Sequence, residues 1–296
     1  MAAEGAPQDP FVGRRLSPRT FVVDGSTLDD YYRGLRLEPP SGGRLPSTIA
    51  SGPDNGYFDE IAFSNHVGHL WMRQQWTMSG PLAAGQRYEV GGEIRDIYTR
   101  RDRSVVQYRV ELTDPAGQHV LQTEHHQSFL RDRGHEGAVT FREPKAKPGA
   151  RTFEMPEGES FGGLERTISL EMCGEFFHGN ANYHTDRESS QALGFRDVVV
   201  GGRMTMAYAA HILEERFGAA WWQNGRFDLK FTNPVWANDT VVARGVVTGP
   251  DAASPGRTAA FVWLSKPDDT VVLVANASVA PLEQPTDDQI ESNSPA

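Results

Sequence analysis

The sequence predicts an α+β protein built from two copies of one domain in tandem. Two observations carry that prediction. First, a helix is followed by a run of antiparallel strands with short turns, not by alternating strands and helices. Second, the same order of elements returns in the second half of the chain, with local echoes of the first.

In chain order, residues 1–10 are small, polar and proline-containing, and are expected to fray. Residues 12–20 read as a strand. The apolar run Phe21–Val23 precedes a short helix through Leu28 and Tyr32, capped by Ser26 or Thr27. Residues 38–56 hold too much glycine and proline for a regular element and read as a long loop suited to covering or binding a substrate. A helix is the better fit to the mixed period of residues 57–72. From Gln74 the period becomes two, and strands are expected over 74–78, 87–97, 104–113 and 119–130. Residues 133–162 are rich in Gly, Lys, Glu and Pro and read as a linker.

Beyond the linker, Arg166-Thr167-Ile168 echoes Arg19-Thr20-Phe21, and Phe176-Phe177 echoes Tyr31-Tyr32. Pro234-Val235 followed by Asn238-Asp239 and a strand echoes Pro81-Leu82 followed by Gly85-Gln86. The turn at Lys266–Asp269 echoes the one at Asp114–Gly117. The expected units are a first domain over 10–133, a linker over 134–159, a second domain over 160–283 and a tail over 284–296. Met204–Phe217 has helical spacing, almost no charge before Glu214, and Gly218 as its stop. Such a helix is buried, as when a sheet curls around it.

Hydrophobic residues make up 38% of the chain and charged ones 23%, as in soluble globular proteins, and there is no apolar run long enough to span a bilayer. The N-terminus lacks the basic-then-apolar pattern of a secretion signal. The single cysteine, Cys173, allows no internal disulfide, reads as a small buried hydrophobe, and fits a cytoplasmic location. A net charge of −10 argues against nucleic acid or an anionic membrane as partner. The arginines at 100, 101 and 103, and the looser basic group at 131–147, read as solvated surface.

Chemistry concentrates in one stretch, Asn180 to Thr205. His184 and Asp186 stand two residues apart. A polar helix-competent run with Ser190 follows, then Gly194-Phe195, a short apolar strand-like run Val198–Val200, and Gly201-Gly202 opening the buried helix. Nowhere else does a general base stand so close to a carboxylate and a glycine-bounded helix start.

The spacing of His184, Asp186, Ser190, Gly194, Phe195 and Gly202 resembles the MaoC-like dehydratases and (R)-specific enoyl-CoA hydratases of the hot dog superfamily. So does Phe231-Thr232-Asn233-Pro234-Val235-Trp236-Ala237-Asn238-Asp239-Thr240, which is similar to that family's F-x-x-P-V-x-x-G-D-T strand with Asn238 in place of glycine. The resemblance covers residues 160–282, and the first half resembles the degenerate copy of fused double hot dog members. It implies two tandem hot dog domains, each an antiparallel sheet wrapped around a long helix. It also implies hydration of an enoyl thioester, or dehydration of the 3-hydroxyacyl thioester, with the acyl group on coenzyme A or a carrier protein and no metal or other cofactor.

In those terms His184 is the general base and acid, because imidazole changes charge near neutrality. Gly202 N–H is the oxyanion donor, because a helix start favours developing negative charge. Tyr183, Gly201, Arg203, Phe195 and Trp236 are the expected substrate-binding residues. One active site per chain is expected, since Leu37 occupies the position equivalent to His184 at the offset separating Arg19 from Arg166. A homodimer of such chains is compatible with the pattern.

The family carries D-x-N-P-x-H, and here the aspartate position falls on Gly179, or on Asn180 with a one-residue deletion. Several substitutes are open. His184 acts alone or with Asn180 and Asn182 as positioners; Asp186 joins it, although capping of the following helix is the expected role; or Glu175 or His178 reaches in. Two other functions remain in competition. One is a thioesterase using Glu175 or Asp186. The other is a non-catalytic or variant member binding an acyl or natural-product ligand in a tunnel lined by Trp221, Trp222, Phe227 and Trp236. The remaining histidines, His66, His69, His125, His126 and His211 among them, read as structural, and no zinc-ligand spacing appears.

Overall fold

In a computed structural model, residues 8–39, 44–132, 140–141, 153–192 and 195–282 are described. Gly194, most of the expected linker and all of the expected tail lie outside them, as do Arg133, Arg142, Lys145 and Lys147 of the basic group.

Strand β1 (Arg15–Val22) runs into helix α1 (Gly25–Leu35). The cap is Asp24, whose Oδ1 accepts from Thr27 N at 2.7 Å; Ser26 and Thr27, the expected caps, already lie in the first turn. A 3-10 turn (Ser47–Ser51), α2 (Gly52–Asn55) and α3 (Phe58–Ile61) follow, so the stretch expected as loop contains helical turns. Strands β2 (His66–Met78), β3 (Arg87–Arg100), β4 (Arg103–Thr113) and β5 (His119–Arg131) then form a meander, and β6 (Thr140–Phe141) lies parallel to β3. The helix expected over 57–72 is a correction: only Phe58–Ile61 is helical, and His66 onward is extended. Register shifts at His66/Gly68 and Trp71/Arg73 break the two-residue alternation that would have marked this segment as strand.

The second half repeats the order. It comprises β7 (Glu159–Thr167), α4 (Leu170–Phe176), α5 (Arg187–Ala192), α6 (Gly202–Phe217), α7 (Ala219–Asn224), β8 (Arg226–Phe231), β9 (Thr240–Pro250), β10 (Thr258–Ser265) and β11 (Val271–Val279). Residues 198–200 form no strand, only a bridge from Val199 to Trp236.

One sheet joins both halves in the order β1-β3-β4-β5-β2-β8-β11-β10-β9-β7. From one edge the first half reads 1-3-4-5-2; from the other edge the second half reads 7-9-10-11-8, the same succession of elements. The halves meet where β2 pairs antiparallel with β8, from Arg73 opposite Lys230 to Thr77 opposite Arg226.

The sheet of the second half wraps α6. Met204 through Ala210, with Ile212 and Leu213, are all buried, and the alanines let strands approach closely. Among the described residues the first half has no helix of that length. Pro46, Gly52, Pro53 and Gly56 interrupt its sequence there, because proline removes a helix hydrogen bond and glycine resists helix formation. Ile49, Tyr57, Ile61 and Phe63 fill the space instead. Among the described residues no helix is long and apolar enough to cross a membrane.

Candidate active site

The loop between α4 and α5 is shaped by its own polar side chains. Asn182 Oδ1 accepts from His184 N at 2.8 Å, an Asx-turn, and Asn182 Nδ2 donates to Asn180 O at 3.1 Å. Asn180 Nδ2 donates to Phe177 O at 2.9 Å, and Thr185 Oγ1 to Asn180 O at 2.8 Å. The amides of Asn180 and Asn182, expected to flank a catalytic water, are engaged with backbone and set the position of His184. Asp186 accepts from Ser189 N at 2.7 Å and caps α5. The Ser189 side chain first, and then this backbone bond, hold its carboxyl below the usual carboxylate range.

The loop presents the His184 ring to the start of α6. Its Nδ1 lies 2.7 Å from Val199 O, so Nδ1 carries the proton and donates. Nε2 keeps its lone pair and has no hydrogen-bond partner among the described residues. The ring stacks on Phe177 (5.1 Å between centres, 10° between planes) and packs against Tyr183 at 3.9 Å. Burial pushes its pKa down to about 4; the bond to Val199 opposes that shift and His69 adds to it. At neutral pH the ring is a neutral base.

Helix α6 opens with Gly201 as N-cap and no capping side chain. The amide of Gly202 donates to nothing among the described residues, as an uncapped helix start leaves it. Both glycines are required by close approach. A Cβ on Gly201 would lie 2.6 Å from Phe177 Cζ and 3.8 Å from His184 Cγ; one on Gly202 would lie 3.2 Å from both Trp71 Cε3 and Phe231 Cζ.

Phe195 stacks with Tyr183 (6.2 Å, 21°) and meets Trp236 at 6.3 Å, while Arg196 lies 4.8 Å over Trp236. These form one aromatic rim leading from the loop. Arg203 lies apart from that rim, its guanidinium 5.8 Å from the Phe176 ring and its Nη2 3.5 Å from where a Cβ on Gly52 would stand.

Residues 155–260 match the family model described as MaoC like domain. That stretch is a MaoC-like domain. No curated protein matches the sequence. Three solved structures resemble the chain over most of its length. A MaoC-like dehydratase is 18% identical with a TM-score of 0.70, covering 91% of this chain and 98% of that one. A MaoC-like dehydratase from Phytophthora capsici is 14% identical with a TM-score of 0.68, covering 92% and 96%. A conserved hypothetical protein from Mycobacterium tuberculosis, described as having a double hotdog fold, is 12% identical with a TM-score of 0.61, covering 92% and 96%. At such identities the likeness shows the fold, and this chain has a double hot dog fold.

Other expected participants lie away from the base of the MaoC-like domain. Glu175 accepts from Arg36 Nη1 at 2.6 Å, and His178 Nδ1 lies 2.6 Å from Asp30, so both hold α4 against α1. Of the four residues expected to line a tunnel, Trp236 lies on the aromatic rim with Phe195, and Trp221, Trp222 and Phe227 are packed away. Trp221 and Trp222 are buried, with Nε1 donating to Ser47 Oγ at 3.0 Å and Leu45 O at 2.8 Å, and Phe227 packs on Trp76. Cys173 is buried and its thiol is pushed up to about 11 by that burial. His211 pairs with Glu215 at 3.4 Å.

Two residues that the sequence reading did not assign to the site come to it from the first half. His69 on β2 places Nε2 3.2 Å from Tyr183 OH, and Trp71 packs on Gly202. The signal was the run of aromatic rings on alternate residues, His69 and Trp71, which the helical reading of 57–72 concealed.

Proposed function

We propose that the chain is a hydro-lyase, adding water to or removing it from the α,β position of an acyl thioester. The observation that carries this reading is the one hydrogen bond from His184 Nδ1 to Val199 O, which leaves Nε2 a free base on a ring whose Cγ lies 3.8 Å from where a Cβ on Gly201, the N-cap of α6, would stand.

In the hydration direction His184 Nε2 takes a proton from water as its oxygen bonds to the β-carbon. The electron pair of the double bond moves toward the thioester carbonyl, giving an enolate oxygen. Gly202 N–H, at the positive end of α6, donates to that oxygen. The imidazolium of His184, made strongly acidic by burial, then protonates the α-carbon, and the base is restored. Water has been added and no proton remains over. The dehydration runs the same steps backward. His184 therefore acts as both base and acid, with the family carboxylate absent. Tyr183, whose ring packs on His184, and its partner His69 supply additional polar groups there.

A thioesterase needs a carboxylate at the thioester carbonyl. The two candidates are engaged elsewhere, Glu175 with Arg36 and Asp186 as a helix cap, which favours the hydro-lyase. The test is a panel of saturated, enoyl and 3-hydroxyacyl thioesters incubated with wild type and His184→Gln, with products read by mass. Gain or loss of one water that depends on His184 supports the assignment. Release of free thiol without change at the double bond, or no reaction across carriers and chain lengths, removes it.

A further inference from the structure

The first turn of α6 carries a charge that the steps above leave idle. Arg203 is half-buried between Gly52 of the first half and Phe176 of the second, its Nη2 3.5 Å from where a Cβ on Gly52 would stand and its guanidinium 5.8 Å from the Phe176 ring. Among the described residues it makes neither an ion pair nor a hydrogen bond. Burial lowers its pKa, which means the cation sits where charge is disfavoured, with Tyr31 and Asp54 as its electrostatic neighbours. Asp54 forms no ion pair with it. That carboxyl accepts from Gln74 Nε2 and Thr123 Oγ1, both at 2.7 Å, and burial raises its pKa to about 7. A desolvated guanidinium offers five donors in a planar fork, the shape that a carboxylate fills.

A second, independent observation comes from the first-half wall of the same region. Gln74 and His125 are 0% and 1% exposed, and Gln74 Oε1 and His125 Nδ1 have no hydrogen-bond partner. Both are acceptors, since His125 Nε2 donates its proton to Gln127 Oε1, so they call for a donor such as a hydroxyl near the acyl end and not for the carboxylate itself. Trp71 connects this wall to the proposed oxyanion donor, since its ring edge packs on Gly202 and its face stacks on His125 at 4.6 Å. Tyr108 closes the other face of His125 at 4.9 Å. An alkyl chain entering beside Gly202 would leave the guanidinium and these polar atoms dry.

We infer that the acyl group accepted beside Gly202 bears a carboxylate that Arg203 holds, making the substrate the thioester of an unsaturated or hydroxylated dicarboxylic acid. This rests on the thioester reading of the His184 site and adds the chemistry of the acyl end. Arg203 is the specificity-determining residue, and α6 thus supplies both the oxyanion amide and, one residue later, the cation for the acyl end.

The experiment compares pairs of trans-2-enoyl-CoA thioesters that differ only in a terminal methyl or a terminal carboxylate. Wild type, Arg203→Met and Arg203→Lys are assayed for kcat/KM, and the matching saturated thioesters are titrated by calorimetry. Charge-assisted hydrogen bonds of roughly 1.5–3 kcal/mol correspond to a preference of about 10- to 100-fold for the carboxylate in wild type. Arg203→Met brings the two substrates to one level, and Arg203→Lys falls between. A wild type that prefers the methyl compound, or an Arg203→Met that weakens both equally, overturns the inference; the second result would mean that the guanidinium reads the coenzyme phosphates or supports the fold. The two readings fail separately. Hydration without carboxylate preference sinks only this one. A carboxylate preference in binding the saturated pair, with no hydration of any enoyl thioester, sinks only the hydro-lyase.

Discussion

At His184 a single acceptor fixes the chemistry. Val199 O takes the Nδ1 proton, so the free nitrogen is a base, and burial keeps it unprotonated down to about pH 4. His184→Gln is expected to lower kcat by about 10²- to 10⁴-fold, the range for a lost general acid–base group. In wild type, kcat/KM should fall as pH drops through about 4, well below the ordinary histidine value; an acid limb near 6.5 in initial-rate measurements would contradict the buried ring. Asp54 titrates in the opposite sense. Its folded pKa of about 7 lies above the ordinary 3.8, so its contribution to stability is complete below 3.8 and is lost as pH rises through about 7. Asp54→Asn removes that loss while still offering an acceptor to Gln74. Its melting temperature should therefore gain on wild type as pH rises from about 4 to 7 and hold that lead above it, and a pH-independent difference between the two would refute the assignment. His125 runs the other way, its pKa pushed by burial down to about 3, so its contribution is present above 6.5 and fades on acidification.

At the scale of elements, the start of α6 is the least tolerant point. A methyl on Gly201 would stand 2.6 Å from Phe177 Cζ, within the ring that stacks on His184. Gly201→Ala should cost about 1–3 kcal/mol of stability by overpacking and, by tilting His184, lower kcat far more than it changes KM. Unchanged kinetics would show that Phe177 simply moves aside. Helix α6 itself was legible in the sequence, because Met204–Phe217 keeps its spacing and Gly218 ends it. The meander of β3, β4 and β5 was legible from its two-residue period. The segment His66–Met72 was not, since two bulges on β2 scramble that period, and with it went the contribution of His69 and Trp71 to the site. The loop histidine and the helix-start glycines could be picked out by spacing. The use of Asn180 and Asn182 could not, because an amide that bonds its own backbone and one that holds a water look alike in sequence.

Across the whole molecule, the duplication inferred from Arg19 and Arg166 reappears as strand order, but the joint between the copies lies in pairings that no local pattern encodes. Strands β2 and β8 make the sheet continuous. On its concave side, Glu214 of α6 is buried and its Oε1 accepts from Ser47 N at 2.7 Å and Ser47 Oγ at 2.6 Å. Trp221 Nε1 donates to the same Ser47 hydroxyl, and Tyr208 OH donates to Leu35 O at 3.2 Å. The second half thus holds the broken helical turns of the first in place, and the two should unfold as one unit in calorimetry. Glu214→Ala leaves the Ser47 donors buried without an acceptor, at about 1–3 kcal/mol, and should lower the single transition by roughly 2–4 °C per kcal/mol. Glu214→Gln keeps an acceptor for both donors and removes a carboxyl whose pKa burial has raised to about 7. By the same sign as Asp54, Glu214→Gln should match wild type in acid and exceed it in melting temperature as pH rises through 7. Two separate transitions, with Glu214→Ala shifting only one of them, would mean that the halves are independent domains and that this contact does not couple them.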